Sequence, residues 1–162
     1  MEPDAIHEHF MRLAMREAEA AAEAEEVPTG CLIVERPADG VLTADARVLG
    51  RGHNETEGRA NPTAHAEMLA IAEACAVRGD FRLTDTVLYV TKEPCAMCAG
   101  AIVLARIPVV VYGVADPRRG GQSVFGILDS DALIHRAAGV TDEGVLQLVQ
   151  QQFFIFSFFP PD

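Results

Sequence analysis

The N-terminal part of the chain is one long segment in which apolar and polar positions recur with a helical period. Residues 5–26 are rich in Ala and Glu, which favour helices, and we expect one face of this helix to pack on a core. The positions at helical spacing are Ile6, Phe10, Leu13, Ala14 and Glu17. Pro28 and Gly30 follow, and the segment 27–30 is expected to end the helix.

Two short strands are predicted next. The run 31–34 is apolar at every position, which is typical of a strand buried on both faces. Pro37 and Gly40 indicate a turn, and a second strand is expected within 41–52. Because only a turn separates the two strands, we expect them to form an antiparallel hairpin.

The middle of the chain alternates helical and strand patterns. The predicted elements are a polar loop over 52–62, a helix over 64–77 that ends near Gly79, a strand over 86–90, a helix over 95–106 and a strand over 108–112. A strand, a helix and a second strand in this order usually form a parallel crossover, and we expect one here.

The remaining residues complete an α/β pattern. A Gly-rich loop is expected over 116–126, and helices are expected over 129–135 and 143–154. The order α-β-β-α-β-α-β-α predicts a mixed sheet flanked by helices. A length of 162 residues suits one domain, so we assign residues 1–162 to a single unit.

The composition narrows the class of protein. Hydrophobic residues make up 49% of the chain, which is too many for a disordered segment, and no apolar run is long enough to span a bilayer. The N-terminal residues are acidic rather than basic, so we expect no secretory signal and a cytoplasmic protein. The formal net charge of −11 argues against nucleic-acid binding, although about half of that excess lies within residues 1–26.

Two short motifs carry candidate chemistry. His65-Ala66-Glu67 and Pro94-Cys95-Ala96-Met97-Cys98 each stand at the expected start of a helix. Two cysteines three residues apart lie side by side on a first turn, and thiolate and imidazole are ligands that zinc accepts. His65, Cys95 and Cys98 could therefore hold one zinc ion with a fourth position open, as in catalytic zinc sites. Glu67 would then lie where a carboxylate can transfer a proton.

Simpler interpretations of each motif exist. An isolated His-x-Glu is usually helix surface, and an isolated Cys-x-x-Cys can serve redox chemistry, metal binding or packing. A redox role for the two cysteines would give His65 and Glu67 no function. A structural zinc module would need a fourth protein ligand. The two motifs in this order favour a catalytic zinc site, since together they form the known signature of zinc deaminases.

With these motifs the sequence resembles the cytidine deaminase-like superfamily of zinc enzymes. Longer strings resemble the bacterial tRNA-specific adenosine deaminases within it, over about residues 10–154. These strings are Val27-Pro28-Thr29-Gly30, Gly52-His53-Asn54, Asn61-Pro62-Thr63-Ala64-His65-Ala66-Glu67, Leu88 to Ala101 and Arg106-Ile107.

The resemblance implies a three-layer α-β-α fold with about five strands, one zinc ion per chain and a homodimer. It implies hydrolysis of adenosine to inosine at the wobble position of a tRNA anticodon loop, with zinc activating water and Glu67 as the proton shuttle. By position, Asn54 would bond to the extruded base, the backbone N–H of Ala66 would face the reacting edge, and Asp116 would contact the neighbouring nucleotide.

The chain departs from the family pattern at three places. Asn61 stands where the family usually has Asp, and the loop after Asp116 looks one residue short. The C-terminal residues 153–162 are rich in Phe where relatives carry a basic tail, and we consider an extended dimer contact for them. Arg118 and Arg119 are the best local candidates for contacting an RNA phosphate.

An alternative substrate stays open from the sequence alone. The acidic composition and the Phe-rich end favour a free-base or nucleoside deaminase of the same superfamily, acting on guanine or cytosine. The string from Glu93 to Ala101 and the pair Arg106-Ile107 favour tRNA as the substrate.

Overall fold

The computed structural model describes residues 3–129 and 138–140 of the chain. The elements within these residues are α1 (Pro3–Glu23), β1 (Gly30–Glu35), β2 (Val48–His53), α2 (Ala66–Arg78), β3 (Thr86–Lys92), α3 (Ala96–Leu104), β4 (Val109–Val114) and β5 (Ala138–Val140). Apart from residue 129, the helices predicted over 129–135 and 143–154 lie outside the described residues, as does the Phe-rich segment.

The described strands form one mixed sheet of five strands in the order β2-β1-β3-β4-β5. β1 runs antiparallel to both β2 and β3, so the predicted hairpin is confirmed. β3, β4 and β5 run parallel, and α3 connects β3 to β4 as the predicted crossover helix. The prediction of a mixed sheet of about five strands is therefore confirmed for the described part of the chain.

Helices cover both faces of this sheet. Side chains of successive strand residues point to opposite faces, and β1 shows the consequence clearly. Leu32 and Val34 belong to a core cluster with residues of α1, whereas Cys31 and Ile33 belong to a cluster with residues of α2 and α3. The described helices and strands thus form the predicted α-β-α layers, and the apolar run of β1 is explained by burial on both sides.

The helix α1 is amphipathic and lies on one face of the sheet. Phe10, Met11 and Met15 are fully buried, and the ring of Phe10 lies 5.2 Å from that of Tyr89 on β3. Its exposed positions include the charged residues Arg12, Arg16, Glu19 and Glu23. In the described part of the chain, no helix has the length and apolar character required to cross a membrane.

Small residues let α2 approach the sheet closely. The helix presents Ala66, Ala70 and Ala74 to the edge strand β2. A Cβ atom at Gly50 would lie 2.2 Å from the carbonyl oxygen of Ala70, and one at Gly52 would lie 2.6 Å from that of Ala66. Since both distances are below any real contact, these two glycines are required for the observed helix-to-sheet distance.

The predicted boundaries shift where local turns compete with regular structure. β2 begins only at Val48, and residues 37–47 form turns and irregular chain rather than strand. α2 begins at Ala66 instead of residue 64, because the Asn61 side-chain oxygen accepts hydrogen bonds from the N–H and the hydroxyl of Thr63. This local turn holds residues 61–63 out of the helix.

The close approach of α2 predicts opposite effects at two glycines. Gly50→Ala should destabilise the protein by about 1–3 kcal/mol, because the added methyl group overlaps backbone atoms of α2. Gly100→Ala, within α3, should be neutral or stabilise by up to about 1 kcal/mol, since no atom lies within 4 Å of its Cβ position. Urea unfolding of both variants checks this, and equal effects at the two positions would contradict the packing argument.

Candidate metal centre and active site

Two helix N-termini meet at one point of the sheet. His65 is the N-cap residue of α2 and Cys95 is the N-cap residue of α3, and both have extended backbone angles. Neither side chain makes a capping hydrogen bond to its own helix, so both side chains can turn toward each other. Pro94 precedes Cys95 and favours a helix that starts at this point. The prediction that both motifs stand at helix starts is confirmed.

His65, Cys95 and Cys98 form a candidate metal site. The Sγ atoms of Cys95 and Cys98 lie 3.6 and 3.5 Å from Nδ1 of His65, and the three donor atoms lie within 4.8 Å of one another. Tetrahedral zinc with usual Zn–S and Zn–N bond lengths places a sulfur and a nitrogen ligand about 3.6 Å apart. The predicted ligands are thus brought together at separations that fit one zinc ion.

The two cysteines differ in proton affinity. The pKa of Cys95 is lowered to about 4, first because the Cys98 side chain donates a hydrogen bond to it and also because His65 lies beside it. The pKa of Cys98 is raised, first by its bond to Cys95 and further by burial. Cys95 is therefore held as a thiolate, the form of cysteine that binds metals.

Glu67 lies beside the three donor groups. It is the second residue of α2, only 3% exposed, and its side chain interacts with Cys98. Burial raises the pKa of Glu67, so this carboxyl group takes up a proton more readily than an exposed one. A buried carboxyl that can accept and release a proton at the metal site has the placement predicted for a proton shuttle.

A cavity of about 200 Å³ opens on these groups. Pockets for drug-sized ligands start at about 300 Å³, so this cavity suits one group the size of a base. Its lining residues are Val27, Thr29, Asn54, Thr56, His65, Glu67, Lys92, Glu93, Cys95, Asp116 and Arg119. Of the predicted site residues, Cys98, Ala66 and Arg118 are not part of this lining.

The structure joins Asn54 to Ala66. The side-chain oxygen of Asn54 accepts a hydrogen bond of 2.9 Å from the backbone N–H of Ala66. The predicted role of this N–H toward a substrate stays a prediction. The bond fixes the Asn54 side chain in the cavity wall, and its role toward a base stays a prediction.

Asp116 is also engaged within the protein. Its carboxylate lies 2.8 Å from Nζ of Lys92 and accepts hydrogen bonds from the backbone N–H groups of Arg118 and Arg119. The predicted contact between Asp116 and a nucleotide stays a prediction. Both arginine side chains are exposed, and Arg119 lines the cavity mouth.

Two buried glutamates hold the loops on either side of the cavity, and our sequence analysis assigned them no role. The carboxylate of Glu26 accepts hydrogen bonds from the Thr56 hydroxyl and from the N–H groups of Glu57 and Gly58. Glu93 does the same for residues 116–123, which we name the rim loop.

Comparisons with known proteins agree with this site. A family model described as MafB19-like deaminase matches residues 5–147. The chain therefore belongs to this family of deaminases. The fold and the His-x-Glu and Cys-x-x-Cys motifs had predicted a deaminase, and that prediction is confirmed.

Individual relatives make the relationship more specific. The chain is 43% identical over 151 residues to a tRNA-specific adenosine deaminase from Streptococcus pyogenes, covering 90% of this chain and 88% of the relative. A solved structure from a study of tRNA A34 deaminases that edit A to I at the wobble position matches with a TM-score of 0.72 and 38% identity, covering 83% of this chain and 97% of that chain. The predicted resemblance to the tRNA-specific adenosine deaminases is confirmed.

A guanine deaminase is also similar. The solved structure of guanine deaminase from Bacillus subtilis matches with a TM-score of 0.60 and 30% identity, covering 90% of this chain and 92% of that chain. Deaminases of different substrates thus share this fold.

The ligand geometry predicts the effect of matched cysteine substitutions. Cys95→Ser should lower the metal content of the purified protein from about one ion per chain to well below half, because a serine hydroxyl is a poor zinc ligand. Cys75→Ser should leave the content unchanged, since Cys75 lies outside the site. Elemental analysis checks both variants, and retention of metal by Cys95→Ser would contradict the assignment.

The Glu26 contacts predict a dependence of stability on pH. The N–H of Gly58, more than any other group, lowers the pKa of Glu26 below 4.5, so its contribution to stability is complete above that pH and is lost as pH falls through the lower value of the folded state. Glu26→Gln should lower the urea midpoint at pH 7, and this difference from wild type should shrink below pH 4.5. Glu23→Gln, at an exposed position of α1, is the control and should unfold like wild type.

Proposed function

We propose that this protein hydrolyses adenosine to inosine at the wobble position of a tRNA anticodon, with one zinc ion bound by His65, Cys95 and Cys98. The observation that carries the proposal is the grouping of these three donors at a cavity the size of a base, which His65, Cys95 and the buried Glu67 line. The relatives named tRNA-specific adenosine deaminases support adenosine in tRNA as the substrate.

The donor set fits zinc in a catalytic role. Three protein ligands would leave a fourth position for another molecule. The cavity that His65 and Cys95 line is also lined by Glu67 and Asn54. When bound in such a site, zinc lowers the pKa of water and so supplies a nucleophile near neutral pH.

Glu67 handles the protons of the reaction. Its carboxylate takes a proton from the attacking water and delivers one to the ring nitrogen of adenine, beside C6. The carboxylate then takes the second proton, from the hydroxyl group now on C6, and passes it to the exocyclic amine, which leaves as ammonia while the C6 carbonyl of inosine forms. Burial raises the pKa of Glu67, and this suits the exchange because such a carboxyl group accepts a proton more readily than an exposed one.

Groups around the cavity would orient the base. The Ala66 N–H holds the side-chain oxygen of Asn54, which leaves the amide NH₂ of Asn54 as a donor toward an acceptor on the base. Such a base must leave its stack, and an anticodon loop allows this at low cost. We assign Asp116 to the neighbouring nucleotide and Arg118 and Arg119 to its phosphates.

Further parts of the proposal concern assembly and location. Val77, Phe81 and Leu104 expose apolar side chains around the ends of α2 and α3, which suits a homodimer contact. We assign residues 1–162 to one deaminase domain and the protein to the cytoplasm, where tRNA is processed. Sedimentation analysis would measure the oligomeric state.

Guanine is the second candidate substrate. The 30% identity to a guanine deaminase structure and the acidic net charge of the chain favour it, since a free base needs no phosphate contacts. In that case the same ligands and Glu67 would act on the corresponding exocyclic amine of guanine.

Substitution of Glu67 tests the mechanism and the substrate together. Glu67→Gln should retain zinc and lose roughly 10²–10⁴-fold in kcat for inosine formation in a tRNA anticodon stem-loop, because a carboxamide cannot transfer the proton. Glu73→Gln, an exposed change on the same helix, should keep wild-type activity.

Free substrates are measured in parallel to separate the two candidates. Ammonia release from guanine, cytosine and adenosine is compared with inosine formation in the stem-loop. Activity on free bases alone would reject the tRNA proposal, and wild-type activity of Glu67→Gln would reject the proton shuttle.

A further inference from the structure

Glu93 is a buried carboxylate that the proposed chemistry does not use. It follows β3, is only 3% exposed, and stands two residues before the metal ligand Cys95. A charge in such a position is costly unless it is fully hydrogen-bonded. The hydrogen-bond partners of the Glu93 carboxylate therefore indicate its role.

Among the described residues, the partners of Glu93 come from the rim loop. Oε2 accepts hydrogen bonds from the N–H of Asp116, at 2.6 Å, and from the hydroxyl of Ser123, at 2.7 Å. Oε1 accepts from the N–H groups of Gln122 and Ser123, at 3.1 and 2.6 Å. One carboxylate thus joins the two ends of the loop, and each oxygen is occupied twice.

Two glycines make this arrangement sterically possible. A Cβ atom at Gly120 would lie 2.2 Å from Oε1 of Glu93, and one at Gly121 would lie 2.5 Å from the Cβ of Ala99 in α3. The N–H of Gly121 also donates to the carbonyl oxygen of Pro94, at 2.7 Å. The rim loop is therefore packed directly against the segment that carries Cys95.

The rim loop holds the charged groups at the cavity mouth. It contains Asp116, which pairs with Lys92, and Arg119, which lines the cavity. Because Glu93 is bonded to the loop and neighbours the metal-binding segment, it determines where these groups lie relative to His65 and Cys95.

We propose that Glu93 is a positioning residue that fixes the rim loop for substrate binding and takes no part in the chemical step. Both its oxygens are occupied by loop donors, so its carboxylate is not available to transfer a proton. This inference rests on the proposed function for the identity of the substrate, but the bonds that hold the loop can be measured without any substrate.

The first measurement is hydrogen exchange of the free protein. In Glu93→Gln one carboxylate oxygen becomes an NH₂ group that cannot accept, so either the amide of residue 116 or the amides of residues 122 and 123 lose their acceptor. The amides that lose it should exchange at least about tenfold faster. Ser123→Ala removes only the hydroxyl bond, should fold normally and should show a smaller change in the same direction. Unchanged exchange in both variants would overturn the proposal.

The second measurement separates binding from chemistry. For the tRNA anticodon stem-loop, Glu93→Gln should raise KM about tenfold while kcat stays within about twofold and zinc remains at one ion per chain. Glu73→Gln is the matched control and should leave all three values unchanged, because its carboxylate accepts a bond from Arg51 away from the cavity. A loss of zinc, or an equal fall of kcat and kcat/KM, would overturn the positioning role.

The two proposals fail in different ways. If the wild-type protein acts only on guanine, the tRNA assignment is wrong, and the exchange rates together with the KM for guanine still decide the role of Glu93. If the wild-type protein edits the stem-loop and Glu93→Gln changes neither exchange nor KM, the role of Glu93 is rejected while the proposed function stands.

Discussion

The distance between the first turns of α2 and α3 is the constraint on which the candidate site depends. His65 belongs to the first turn of α2, and Cys95 and Cys98 belong to the first turn of α3. Their donor atoms can lie within contact distance only if the N-termini of both helices lie side by side on the sheet. Gly50 and Gly52 set the distance between α2 and the sheet, because the lack of a side chain lets the backbone of α2 lie directly against β2. The position of the ligand His65 therefore depends on how closely α2 packs against Gly50 and Gly52 of β2.

The sequence predicted the parts of the molecule that local pattern determines. The hairpin, the crossover and the ligand positions follow from apolar runs, turn residues and the spacing of His65, Glu67 and the two cysteines. Glu26 and Glu93 were missed because most of their partners are backbone amides more than 20 residues away, and a backbone amide cannot be recognised from the residue type. The start of α2 differs from the prediction for a similar reason, since the turn at 61–63 competes with the helix.

The fold shows where the charged residues of this acidic chain lie. Among the exposed residues of α1, Glu19 and Glu23 are acidic and Arg12 and Arg16 are basic, and this helix lies on the side of the sheet opposite α2 and α3. The cavity lining contains Lys92 and Arg119 together with Glu67, Glu93 and Asp116, so basic groups are present at the site of an acidic chain. Net charge alone is therefore a poor guide to the substrate of a protein that binds through one small opening.

The way Glu93 binds its loop has a consequence for how such an enzyme can change over evolutionary time. Three of the four bonds come from main-chain amides, which every residue except proline carries. Outward side chains such as those of Arg118 and Arg119 can therefore be exchanged while the loop keeps its backbone path. A new substrate preference could arise by point mutation at the mouth, without rebuilding the metal centre or the sheet beneath it.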